Sequence, residues 1–178
     1  MGPGDGNKEG KSNMGNTGNE RLATYLNDHL AGSVVAIELM EHLEATFAGT
    51  PVAAFVAELR AEVETDRREL QALMTQLQIA ESPARKASAW LAEKFTELKL
   101  RLDDPAGGEL RLFESYEALS LGIEGKRSLW LALSAASEET PALQIADYAR
   151  LARRAEEQRS RVEAKRLEIA KTALAFTL

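Results

Sequence analysis

Two ionisable residues, His29 and Asp66, fall where the surrounding pattern of the chain requires apolar side chains. His29 interrupts a run spaced as Leu22, Leu26, Ser33, Ile37, Met40 and Phe47. Asp66 interrupts Leu59, Val63, Leu70, Leu73 and Leu77. At about 100° per residue, each lies roughly 20° from a leucine seven positions earlier, on the inward face of an amphipathic helix. A lone charge there is costly, so each group needs a partner: the other one, another polar side chain, water or a metal.

The simplest pairing joins the two. On adjacent antiparallel helices, His29 and Asp66 would form a charge-assisted hydrogen bond that fixes the helix register. Gln158, alone on a third apolar stripe, is the expected additional member of such a buried cluster. The competing chemistry is a metal centre. His29, Glu62, Asp66 and Glu117 or Glu124 supply imidazole and carboxylate, a donor set suited to iron, manganese or zinc. Glu62 sits at the edge of its stripe, and Glu117 and Glu124 share one face of a later helix. For those three, solvent or a salt bridge to a neighbouring helix is the plainer expectation. No nucleophile–base–acid constellation can be assembled, and no glycine-rich phosphate loop follows a strand, so no catalytic or cofactor-binding residue is assigned.

The elements that must position these groups are helical. Ala, Leu, Glu and Arg dominate, and segments rich in Val, Ile and Thr that would form strands are missing. The chain has 178 residues, enough for one domain with a substantial core. Residues 1–19 carry Gly, Asn and Ser without periodicity and read as a disordered tail, with Met14 as an alternative start. A first helix is expected from Asn19 to Phe47, and Gly49-Thr50-Pro51 is a stop-and-restart signal. A second helix would fold back antiparallel over Pro51 to Leu77. Ser82-Pro83 opens a third to about Leu102, with the stripe Ala84, Ala87, Leu91, Phe95, Leu98 and Leu102, and Trp90 on its other side. After the Asp103 to Gly108 loop, a fourth helix spans Glu109 to Leu133 on Leu112, Tyr116, Leu119, Ile123 and Trp130. A break near Ser137 to Pro141 leads to a last helix with Leu151, Ala155, Val162, Ile169 and Phe176. Its basic residues, Arg150 to Arg166, alternate with glutamates and read as a solvated face with i,i+4 pairs. His42 reads as a surface histidine.

Five helices in two hairpins joined by a crossover resemble the ferritin-like superfamily, in particular its uncharacterised bacterial members. Tyr25-Leu26-Asn27-Asp28-His29-Leu30-Ala31-Gly32 and Leu121-Gly122-Ile123-Glu124-Gly125-Lys126 carry the resemblance, which covers roughly residues 20–176. It implies a four-helix bundle with a long crossover. In its diiron members it also implies a Glu on two helices and a Glu-x-x-His on the other two. No Glu-x-x-His occurs here: Leu26 and Leu39 stand three residues before His29 and His42. The small DNA-protecting ferritins, which use two histidines on the first helix and Asp-x-x-x-Glu on the second, are similar to His29, His42 and Glu62-x-x-x-Asp66, with the acids in reverse order.

The formal net charge of −6 argues against a mainly electrostatic nucleic-acid binder. With no cysteine, disulfides, thiolate metal sites and cysteine nucleophiles are excluded. Neither a secretion signal nor a membrane span is evident. The expectation is therefore a cytoplasmic all-α bundle that self-associates, with a dimer favoured, or binds a protein partner. Its ancestral metal centre would have been replaced by a buried polar cluster.

Overall fold

A computed structural model describes residues 9–82 and 108–176, the side chains of residues 9–17 excepted, and it is all-α. Four long helices occur among the described residues: α1 Glu9–Thr46, α2 Pro51–Gln76, α3 Gly108–Glu139 and α4 Tyr148–Ala173. A 3-10 turn, Pro141–Leu143, precedes α4. Apart from its expected cap Ser82, the third helix expected to reach about Leu102, with Trp90, lies outside the described residues.

Helix α1 starts at Glu9 rather than at the expected Asn19 cap. No proline lies between them, and extending an existing helix needs no new nucleus, so α1 runs through Gly10, Gly15 and Gly18 despite their low helix propensity. For the same reason α3 runs on past Leu133 to Glu139 and stops just before Pro141. Phe176, expected in the core, is 81% exposed because α4 closes at Ala173.

The α1–α2 turn is built from local chemistry. Gly49 adopts φ 79°, Pro51 sits at the start of α2, and the Thr50 hydroxyl accepts from the Ala53 N–H. Helix α2 ends in a paired carbonyl cap: the Ile79 N–H donates to Met74 O at 2.9 Å and the Gln78 N–H to Thr75 O at 3.0 Å. That geometry places the residue after the cap, Gln78, at φ 58°. Beyond it, the buried Asn27 of α1 grips the departing chain by its backbone. Its Nδ2 donates to Ala80 O at 3.2 Å, and its Oδ1 accepts from the Ser82 N–H at 2.7 Å. Helix α4 begins with Asp147 accepting from the Arg150 N–H at 2.9 Å.

Helices α1 and α2 pack as one antiparallel hairpin and α3 and α4 as another, and α1 meets α3 between them. The core forms two apolar clusters. One gathers Leu39, Met40, Leu43, Val56, Leu59, Val63, Tyr116, Leu119 and Ile123, with Ala155 and Val162. The other gathers Leu26, Leu30, Leu70, Leu73, Met74, Trp130 and Leu133, with Tyr148 and Leu151. All four helices contribute to both.

Nothing lies within 4 Å of a Cβ built on Gly49, so a side chain there would meet backbone strain rather than a clash. Gly49→Ala is therefore expected to cost about 1 kcal/mol, read as a lower urea midpoint at unchanged m-value.

Candidate functional site

Asp66 stands on α2 between Val63 and Leu70, where one apolar cluster gives way to the other, and it is 3% exposed. Three side chains satisfy its carboxylate. Lys126 of α3 donates from Nζ to Oδ2 at 2.5 Å. Gln158 of α4, 1% exposed, donates from Nε2 to the same oxygen at 3.0 Å. Arg154 of α4 donates to Oδ1. The cluster closes on itself, because the Lys126 ammonium also donates to Gln158 Oε1. One carboxylate thus faces two cations in a layer that joins three helices.

Burial pushes the Lys126 ammonium below the ordinary lysine range, and the Arg154 charge acts the same way. The Asp66 carboxylate opposes both by attraction and hydrogen bonding. The ammonium is held near the core because the carboxylate is there, and the surroundings otherwise disfavour its charge.

The candidate residues do not all meet. His29 makes no hydrogen bond or ion pair with Asp66. It is half-buried beside Tyr25, ring edge to ring face with centroids 4.7 Å apart, and burial lowers its pKa against the influence of Asp28. Register explains the separation. Glu44 pairs with Arg60, and Asn27 bonds to Ala80, so His29 comes level with the last turn of α2 rather than its middle. The remaining carboxylates are taken by arginines: Glu62 by Arg161 at 2.5 Å, Glu117 by Arg166 at 3.4 Å, and Glu124 by Arg127 at 2.9 Å and Arg159 at 3.5 Å. Among the described residues, no three His, Asp or Glu side chains stand close enough to share an ion. His29, Glu62, Asp66, Glu117 and Glu124 are thus not brought together as one group among the described residues. His42 is half-buried rather than fully solvated.

The basic face of α4 differs from its expectation. Arg166 and Lys165 do pair within the helix, with Glu163 at 2.8 Å and Glu168 at 3.1 Å, but Arg150, Arg154, Arg161 and Arg159 reach across to Glu69, Asp66, Glu62 and Glu124, and Arg166 also reaches Glu117. Lys126 and Arg154 are the site residues missed in the sequence. Lys126 had a visible signal. The α3 stripe Leu112, Tyr116, Leu119, Ile123, Trp130, Leu133 keeps a strict four-three spacing, and Lys126 fills its one vacant step. Arg154 has no such mark, since it enters from the flank of its helix.

A concavity of about 980 Å³ opens at the bundle end between α1, the α2 cap and the 3-10 turn, lined by Leu22, Asn27, Leu77, Ile79 and Leu143 among others. It is remote in sequence register from Asp66. Comparison of the chain with family models, with curated proteins and with solved structures finds no match.

Removing the carboxylate strands two cations, whereas removing the ammonium leaves an ion pair. Asp66→Ala is expected to cost about 3–5 kcal/mol and Lys126→Met less than about 1.5 kcal/mol, compared by denaturant unfolding. The depressed Lys126 pKa also fixes a sign. Between its folded-state value and the unfolded one near 10.5, the unfolded chain binds more protons, so folding stability rises with pH. Wild type should gain stability relative to Lys126→Met as the pH rises towards 10.5, the ordinary lysine value.

Proposed function

We propose that this chain is a ferritin-like helical bundle that works without a metal, with the Lys126 ammonium standing as the central cation of its polar layer. Its role on this reading is architectural, a rigid cytoplasmic scaffold that self-associates or docks a protein partner. The observation that carries the reading is the saturation of the Asp66 carboxylate by Lys126, Arg154 and Gln158. A dication at that carboxylate would have to displace two positive charges, and no imidazole stands beside it to compensate. The paired helical hairpins, with a buried polar layer halfway along them, support the ferritin-like assignment. No described helix is long and apolar enough to cross a membrane.

Metal analysis of freshly purified, untagged protein tests the proposal. Iron, manganese and zinc are expected well below one ion per chain, with a melting temperature that chelator shifts by less than about 1 °C. Near-stoichiometric metal, with a melting temperature that falls on chelation and is restored by the ion, would overturn it.

A further inference from the structure

The Asp66 layer brings together an amine, a carboxamide and a carboxylate, the three groups that an amide exchange requires. Lys126 Nζ on α3 is bonded to two acceptors at once, Asp66 Oδ2 at 2.5 Å and the carbonyl oxygen of Gln158 on α4. The Gln158 carbonyl carbon lies one C=O bond, about 1.2 Å, behind that oxygen. The Gln158 amide nitrogen in turn donates to the same Asp66 Oδ2 at 3.0 Å. A single carboxylate oxygen therefore touches both the nitrogen that would attack and the nitrogen that would leave. Asp66 and Gln158 are buried and the Lys126 side chain is only 16% exposed, so little water competes for the carbonyl. Burial also favours the uncharged, nucleophilic form of Lys126. Asp66, paired with Arg154, is a carboxylate and a poor electrophile, which leaves the Gln158 carbonyl as the group to be attacked.

We propose that Lys126 and Gln158 join in an intramolecular isopeptide bond, which the chain forms on itself with Asp66 as the proton carrier. Lys126 Nζ attacks Gln158 Cδ, so the Nζ–Cδ bond forms and the Cδ–Nε2 bond breaks. The Lys126 ammonium gives up two protons in turn to Asp66, and Asp66 passes both to Nε2, which departs as ammonium. No oxidant or second substrate takes part, and the chain loses one positive charge. The product also relieves the layer. One carboxylate facing two cations becomes one carboxylate facing Arg154, and the cost of keeping an ammonium near the core disappears. The bridge ties α3 covalently to α4 at the level where the α2 carboxylate enters. The ion-paired layer is the unreacted state, and the stability differences expected for Lys126→Met are those of the unbridged chain.

High-resolution intact-mass measurement tests this on the full chain, as isolated and after incubation at about pH 9, nearer the lysine range. Wild type should fall below its sequence mass by one ammonia, about 17 Da. Trypsin should then release residues 112–127 joined to residues 155–159, uncut after Lys126. Lys126→Met and Gln158→Met should keep their full mass. Asp66→Asn, which retains the amine and the amide, should slow the loss by about 100-fold or more. Should Asp66→Asn fail to fold, the two methionine variants, with folding checked by far-UV circular dichroism, carry the comparison. Wild type of unchanged mass overturns the proposal. So does an ammonia loss that persists in Lys126→Met, which would be asparagine cyclisation. A loss of about 18 Da with Lys126 joined to Asp66 also overturns it, because water would have left and the carboxylate would be the electrophile. The bridge rests on the metal-free reading of the layer, so metal content is measured on the same samples. Metal-free protein that stays unbridged removes the bridge and leaves that reading standing.

Discussion

A carboxylate held in an apolar core dictates what surrounds it. Asp66 cannot be left bare, because desolvating an unpaired charge costs several kcal/mol, a sizeable share of the net stability of a domain. Its partners must come from other helices, since the residues one turn away on its own helix, Glu62, Val63, Glu69 and Leu70, include no cation. Lys126 from α3, with Arg154 and Gln158 from α4, answers that demand. The same contacts bind the two hairpins at one level and one rotation. Apolar clusters tolerate sliding better than hydrogen bonds do, because hydrophobic attraction is non-directional. A one-turn slip of α2 would carry Asp66 away from all three partners.

Much of the architecture is written in apolar spacing and punctuation. Gly49, Thr50 and Pro51 mark the turn they form, Pro141 marks the end of α3, and the stripes of α2 and α4 name most of the buried residues. Gln158 and Asp66, both on those stripes, are buried and touch. The error lies in the pairing of His29. A stripe shows which face of a helix is inward but not which residue it opposes, and that depends on the register set by the Asn27 and Arg60 contacts. His29 also has Leu30 beside it, and the helix turns the leucine inward while leaving the imidazole half covered.

Long cations are the least legible class. Arg and Lys carry several methylenes, so the charge can act far from the position of the Cα on the helix wheel. Arg154 reaches Asp66 from the rim, and Lys126 sits in a slot that a hydrophobic pattern reader passes over as a mistake in the stripe. The α4 arginines look like partners for their own glutamates because near neighbours in sequence are the easiest to count. In the folded bundle, Arg150 and Arg161 pair with Glu69 and Glu62 on the adjoining helix at 3.1 and 2.5 Å, while Arg166 keeps its shortest ion pair, 2.8 Å, with Glu163 of its own helix.

The Asn27 clamp bears on how this sequence can drift. Its amide recognises only a backbone carbonyl at Ala80 and a backbone N–H at Ser82, so it is blind to the side chains there. Mutations at those two positions pass unnoticed by the clamp, apart from proline at 82, which has no N–H to give. The memory of the contact is held entirely at Asn27, where even aspartate would lose the donor. Related chains could therefore diverge freely across the exit from α2 while keeping its path, with one asparagine as the trace.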